Sequence, residues 1–327
     1  MEIYLAPMEG ITGYVYRNAL HTLCNNTITK YYTPFIAPRP KKGMHDRERR
    51  DLLPENHQGM YLVPQILTNL FDDFTNLATE IHERYGYSEI NLNLGCPSRT
   101  VVSRGKGSGF LGAPKELDHF LEQIFEKRDA RGQQYDISVK TRLGMSDPEE
   151  IWNLLEIYQK YPISELSVHV RVQSDYYKKP ARMEYMPLIR EKYDGKLAYN
   201  GDIFSVEDYA KCMGIQEMPL MLGRGVIRNP FLSRMLQGEE VNKDAAKEQL
   251  QAFHRAVFEG YQADMDIIPA MFHMKELWAY MGDLFVDADK AKKRLKKSKN
   301  RSEYEEAVRE IFRAEIDLEK KQSVFVS

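Results

Sequence analysis

Asp136-Ile137-Ser138-Val139-Lys140-Thr141-Arg142-Leu143 alternates apolar and polar residues as a strand does, then places two cations at its C-terminal end. Upstream, Asn91-Leu92-Asn93-Leu94-Gly95-Cys96-Pro97 ends on an amide and a thiol, and downstream Val168-His169-Val170-Arg171 ends on an imidazole and a guanidinium. Runs of this kind cover residues 3–8, 28–35, 61–67, 89–95, 136–143, 165–171, 196–202 and 219–223. Amphipathic stretches of helical period lie between most of them, at 71–85, 115–131 and 149–161. Eight strands separated by helices predict an α/β fold whose parallel sheet closes on itself, a (β/α)8 or TIM barrel. A doubly wound open sheet usually has fewer strands and an early GxGxxG turn, which is missing here.

Past residue 240 the strand pattern stops. Helical stretches follow at 244–262, 270–285, 287–297 and 302–322, the last opening on the capping signature Ser302-Glu303-Tyr304-Glu305. The pattern predicts a barrel domain over residues 1–238 and a small all-α helical bundle domain over residues 239–327. Three cysteines, Cys24, Cys96 and Cys212, have no spacing suited to zinc, so no metal is expected, and their use fits a reducing compartment. Neither a signal peptide nor a membrane span is expected, which points to the cytoplasm. A net charge of −2 does not by itself announce a polyanionic partner.

In such a barrel the C-terminal ends of the strands converge on one mouth, where active sites sit. Glu9, Gln65, Asn93, Cys96, Lys140, Arg142, His169, Arg171, Asn200, Asp202 and Arg224 all fall there. For any one of them, polarity simply returns where a strand ends; together they make a candidate site. Asn200-Gly201-Asp202 and Gly223-Arg224-Gly225 follow the seventh and eighth strands, the usual phosphate-binding loops of this barrel, and Pro230 suits a first helical turn. Two tight turns without a ligand are the alternative. Lys140 either reaches the mouth or snorkels to solvent, and His169 is either a site group or a satisfied core histidine. Gly95 and Pro97 present Cys96 at the mouth, and the loop at 98–113, with Arg99, Arg104, Lys106 and four glycines, reads as a mobile basic lid. An inert buried thiol is the alternative.

From Leu5-Ala6-Pro7-Met8-Glu9-Gly10, through Asn93-Leu94-Gly95-Cys96-Pro97, Lys140-Thr141-Arg142-Leu143-Gly144, His169-Val170-Arg171 and Asn200-Gly201-Asp202, to Gly223-Arg224-Gly225, the chain resembles the tRNA-dihydrouridine synthase family. It departs in two places. His169-Val170-Arg171-Val172 stands where the family usually has His-Gly-Arg-Thr, and Thr33-Pro34-Phe35 lacks the acidic residue often found after the second strand.

The resemblance implies an FMN-dependent oxidoreductase acting on a CH–CH bond. It would reduce the C5–C6 bond of a uridine in the tRNA D-loop with NADPH or NADH as reductant. Ala6, Pro7 and Met8 would pack on the flavin ring, and Gln65, Lys140 and His169 would meet its polar edge or ribityl chain. Asn200, Gly201, Asp202, Gly223 and Arg224 would hold its phosphate end. Cys96 would be the general acid at C5 while flavin N5 delivers hydride to C6, and Asn93, with Arg142 and Arg171, would bind the uracil.

The helical tail is similar to the family's RNA-recruiting bundle. Residues 290–301 hold eight cations in twelve positions, making Lys292, Lys293, Lys296 and Lys297 RNA-binding candidates, with Lys275, Arg99, Arg104 and Lys106 as further ones. A second basic stretch contains Lys41, Lys42, Arg47, Arg49 and Arg50. A charge run can equally be a solvated face, here paired with the acids of 303–310. A monomer is expected. Two other readings stay open: an FMN barrel that reduces a free pyrimidine or enone, which would need no basic tail, and an RNA-binding protein with a vestigial barrel, which would not need Cys96 or Lys140.

Overall fold

The computed structural model describes residues 1–39, 43–215 and 217–319. Its strands are β1 (Ile3–Leu5), β2 (Lys30–Tyr32), β3 (Leu62–Val63), β4 (Gln65–Ile66), β5 (Glu89–Leu94), β6 (Asp136–Gly144), β7 (Leu166–Val172), β8 (Leu197–Asn200) and β9 (Leu220–Leu222). All pair in parallel, in the order β3-β2-β1-β9-β8-β7-β6-β5-β4. The expected barrel is therefore present, with one change. The third run of the sequence is two short strands, because Pro64 lies between them and has no N–H to give the ladder. β3 pairs back to β2 and β4 pairs on to β5, so the sheet comes round to the same segment from both sides. A parallel bridge between Ile36 and Ile66 ties β4 to the chain that follows β2, and the barrel is nearly closed.

Strand side chains alternate between two environments. Tyr4, Ala6, Tyr32, Val63, Ala198 and Met221 form an apolar cluster of their own, while Ile3, Leu5, Leu92, Val139 and Val168 join the larger core that includes the surrounding helices. At the N-terminal end of the strands, Lys30 is held by Glu89 at 3.1 Å and Glu165 at 3.3 Å, with its ammonium 5.0 Å from the Tyr4 ring centre.

Beyond the barrel the helices are Lys243–Asp264, Ile267–Met281, Asp289–Lys297 and Arg301–Ile311. They enclose an aromatic core in which His254, Trp278 and Tyr304 are linked by hydrogen bonds of 2.8 and 3.1 Å through the Tyr304 hydroxyl. The last helix is shorter than expected and starts earlier. Its cap is Asn300, whose side chain accepts from the Glu303 N–H at 3.0 Å, in place of Ser302. It ends at Ile311 because the chain then pairs back on Phe285 through Ile316; residues 320–322 of the expected helix lie outside the described residues.

This helical region seats on the first βα unit. His273 Nδ1–H donates to the Gly10 carbonyl at 3.1 Å, and the Tyr14 hydroxyl donates to Asp264 at 2.5 Å. Gly260 is required by that packing: a Cβ there would stand 2.6 Å from Val15 Cγ1. Among the described residues, no helix is long and apolar enough to cross a membrane.

Candidate active site

The strand ends surround a cleft of about 370 Å³. Ala6, Pro7 and Met8 from the end of β1 form its apolar side, Asn93 and Cys96 come from β5, and Lys140, Arg142 and His169 from β6 and β7. Asn200 at the end of β8 with Gly201 behind it, and Gly223 and Arg224 after β9, complete the wall. A short helix, Arg224–Arg228, begins directly behind Gly223, and a second one, Leu232–Leu236, starts two residues after Pro230. Three expected residues do not line the cleft: Gln65, Arg171 and Asp202.

Cys96 stands in a turn built by its neighbours. Asn93 Oδ1 accepts from the N–H groups of Gly95 at 3.1 Å and Cys96 at 2.9 Å, closing the chain over the end of β5. From the other side, both the N–H and the hydroxyl of Ser108 donate to the Cys96 carbonyl, at 3.1 and 2.8 Å. Gly107 makes that approach possible: its φ is +56°, and a Cβ would stand 2.9 Å from the same carbonyl oxygen. The expected lid is therefore a packed element. Residues Arg99–Val102 and Gly107–Gly112 are short helices, and Phe110 is buried edge-on against Phe120. Arg99 and Arg104 stay exposed beside the mouth, and Lys106 is half-buried.

Burial lifts the Cys96 thiol above its ordinary pKa, against the pull of the Ser98 backbone N–H, Arg142 and Lys140. The group is thus a protonated acid at neutral pH rather than a thiolate. Facing it is a cationic wall. Burial, with the like charge of Arg142 beside it, pushes the Lys140 ammonium down to about 7. Arg142 is wholly buried; its Nε donates to the Gly95 carbonyl at 2.8 Å, and its Nη1 to the carbonyls of Val172 and Tyr176 at 3.0 and 3.2 Å. Only Nη2 is left for a ligand.

Burial and the charges of Arg142, Lys140, Arg171 and Arg224 hold the His169 pKa well below its usual value, so its ring is neutral. A guanidinium can only donate, so Arg171 Nη1 gives its hydrogen to His169 Nε2 at 3.1 Å and the ring proton sits on Nδ1. Arg171 itself lies behind the wall. Its other bonds go to the Lys179 carbonyl at 2.6 Å and to both carboxylate oxygens of Asp202. Asp202 in turn accepts from Arg224 Nη2 at 2.6 Å. Arg171 and Asp202 thus orient His169 and Arg224.

Two residues that the sequence did not single out line the cleft, Tyr176 and Tyr177. The Arg224 guanidinium lies 4.3 Å from the Tyr177 ring centre and that of Arg142 5.5 Å, so one tyrosine covers two cations. Tyr176 has a φ of 49°, unusual for a bulky residue. The only sequence signal was a pair of aromatics in an otherwise polar loop.

Of the basic candidates in the helical region, Lys293, Lys296 and Lys297 are exposed. Lys292 is half-buried and paired with Asp289 at 2.8 Å. Lys275 Nζ donates to the Ser298 carbonyl at 2.5 Å. In the second basic stretch Arg47 pairs with Glu9 on the cleft rim at 2.5 Å; Lys41 and Lys42 lie outside the described residues.

A family model described as dihydrouridine synthase (Dus) matches residues 4–317. A protein named probable tRNA-dihydrouridine synthase from Staphylococcus epidermidis is 29% identical over 271 residues, covering 80% of this chain and 78% of that one. A tRNA-dihydrouridine(16) synthase from Ralstonia nicotianae is 26% identical over 248 residues, covering 72% and 73%. Among solved structures, histamine dehydrogenase from Rhizobium sp. 4-9 superposes with a TM-score of 0.53 at 13% identity, over 77% of this chain and 48% of that longer one. DHODH from Eimeria tenella in complex with ferulenol superposes with a TM-score of 0.51 at 12% identity, over 72% and 79%. At these identities the structural likeness speaks for the barrel alone. The family match is of another kind, since it runs without a break from β1 through the cleft and on to the helices after residue 240, and by it the chain belongs to the dihydrouridine synthase family.

Proposed function

We propose that the protein is an FMN-dependent oxidoreductase that converts uridine in the tRNA D-loop to dihydrouridine. The observation that carries this reading is Cys96, a thiol kept protonated at the mouth of a cleft whose facing wall is cationic. The names of the relatives from Staphylococcus epidermidis and Ralstonia nicotianae support tRNA as the substrate.

The residues present fit FMN. A cleft with three cations, a neutral histidine and an apolar flank at Ala6-Pro7-Met8 suits an anionic, planar, aromatic group. Lys140 would meet the ring edge that becomes negative on reduction, and His169 Nδ1–H would donate to the ring or ribityl chain. Gln65, beneath Asn93, would reach the cofactor only from below. Arg224 would hold the phosphate, with Asn200 and the turns at Gly201 and Gly223 around it and Asp202 steadying Arg224. Bound and reduced by NADPH or NADH, FMN would supply the hydride that C6 of the uracil accepts.

The chain's own part is a proton and a position. Cys96 gives its proton to C5, and a thiol that stays protonated at pH 7 is suited to that step. Asn93 and the free Nη2 of Arg142 hold the uracil edge, while Arg171 acts from behind through His169 and Asp202. The base must leave its stack to enter the cleft. Residues 239–327 form the domain that recruits the RNA, through phosphate contacts by exposed lysines there and by Arg99, Arg104 and Lys106 at the mouth.

Anaerobic single-turnover oxidation of the NADPH-reduced protein, with and without unmodified tRNA, tests the reading. Fast reoxidation only with tRNA, and dihydrouridine recovered by mass spectrometry, is the expected result. A reduced flavin that ignores tRNA but reacts with a free pyrimidine or enone would overturn it.

A further inference from the structure

A line of side-chain amides runs from inside the barrel to the Cys96 turn. Strand register sets it out: Gln65 on β4 lies beside Asn91 on β5, and Asn91 beside Ser138 on β6. Asn93 stands two residues along β5, on the same face as Asn91. Asn91 Nδ2 donates to Ser138 Oγ at 2.9 Å, Gln65 Nε2 donates to Asn91 Oδ1 at 2.8 Å, and Asn93 Nδ2 donates to Gln65 Oε1 at 2.7 Å. Gln65 and Asn91 are wholly buried and Ser138 is 1% exposed.

The direction of this line is fixed from one end. The N–H groups of Gly95 and Cys96 demand an acceptor, so Asn93 must present Oδ1 to them. Its Nδ2 then faces Gln65, which must answer with Oε1 and turn Nε2 toward Asn91. Asn91 answers with Oδ1 and passes its own hydrogen to Ser138. Reversing any one amide sets donor against donor or acceptor against acceptor, at positions closed to bulk solvent.

We infer that Asn91, anchored by Ser138, is a positioning residue: it holds the Gln65 amide, and through it Asn93, in the one orientation that builds the turn presenting Cys96. Neither Asn91 nor Ser138 lines the cleft. Apolar residues at both positions would pack at less cost, because a buried amide is tolerated only when fully paired. The inference rests on the proposal that Cys96 is the general acid.

Asn91→Leu tests it. Alkylation of Cys96 by iodoacetamide, followed on the Cys96 peptide by mass spectrometry, is expected to speed up severalfold as the turn loosens. The kcat for dihydrouridine formation should fall roughly tenfold with KM for tRNA little changed, as displacement of one catalytic group predicts. Asn91→Asp should restore both, since it accepts from Gln65 in either protonation state and bonds with the Ser138 hydroxyl, which can donate or accept. A folded Asn91→Leu protein with wild-type alkylation and kcat overturns the inference, as does a folded Asn91→Asp protein that restores neither. If Asn91→Leu does not fold, Ser138→Ala decides: it should shift both readouts the same way, and wild-type behaviour overturns the inference. Should the wild-type protein make no dihydrouridine, the functional reading fails, and the alkylation arm still judges the line of amides.

Discussion

Arg171 grips both carboxylate oxygens of Asp202 with its two terminal nitrogens while its guanidinium is wholly buried. Asp202 also takes the 2.6 Å bond from Arg224, so one carboxylate joins a hidden cation to one on the cleft wall. Asp202→Ala would strand Arg171 as an unpaired buried charge, at a cost of about 3 kcal/mol. It would also untether Arg224. Urea denaturation of the apoprotein should register the first effect, and a fluorescence titration with FMN should show affinity at least severalfold weaker. Wild-type stability in this variant would mean that Arg171 finds another partner.

Lys140 makes cofactor affinity depend on pH. Burial and the neighbouring Arg142 charge push its ammonium down to about 7 from an ordinary 10.5. An anionic ligand favours the charged form, so above pH 7 binding must take up a proton, while below pH 7 the proton is already there. Affinity for FMN should be flat on the acid side and fall above neutrality, by about one decade per pH unit at most. Folding carries the opposite sign: the buried charge costs most below pH 7, and that cost declines as pH rises toward 10.5. Lys140→Met should weaken FMN binding and abolish the slope. A slope that survives in Lys140→Met would assign it to another group.

Much of this was legible beforehand, and the exceptions share a cause. The barrel shows because eight strand runs alternate with stretches of helical period, a pattern written along the chain. The break at Pro64 could also be read, since a proline inside a presumed inner strand argues against its continuity. Arg171 was different. A cation at a strand end is visible in sequence, but its turning behind His169 to meet Asp202 is settled by packing across three strands. The same holds for Tyr177, whose place over Arg142 and Arg224 depends on where the loop after β7 lies. Gln65 was expected at the cofactor on family grounds, and its bonds to Asn91 and Asn93 appear only once β4 and β5 are in register.

Cys96→Ala should leave FMN binding and oxidation of NADPH unchanged, because the bonds that shape the turn use the Cys96 N–H and carbonyl, and the thiol itself takes only the Ser98 N–H. Loss of a general acid should slow dihydrouridine formation about 10²–10⁴-fold. Cys96→Ser keeps a hydroxyl of much higher pKa and should recover little. The check is single-turnover mass spectrometry of the tRNA beside stopped-flow reduction of the flavin. Equal RNA reduction by Cys96→Ala would remove the thiol from the mechanism.

The basic run near the C-terminus separates into two classes once its partners are known. Lys293, Lys296 and Lys297 are exposed, whereas Lys292 is paired with Asp289, Arg294 with Glu306 and Glu310, and Lys275 donates to the Ser298 carbonyl. Phosphate contacts release counterions, and each one lost should lower the slope of log affinity against log salt by about 0.7–0.9. Reversing Lys293, Lys296 and Lys297 to glutamate should therefore weaken tRNA binding, flatten that slope by about two to three, and leave the melting temperature nearly unchanged. Lys275→Met should do the reverse, lowering the melting temperature by removing the bond that joins the helix Ile267–Met281 to the end of Asp289–Lys297, with a small effect on RNA affinity. Filter binding across a salt series, beside thermal denaturation of each variant, separates the two. A triple reversal that leaves the salt slope intact would place the RNA on another face of the protein.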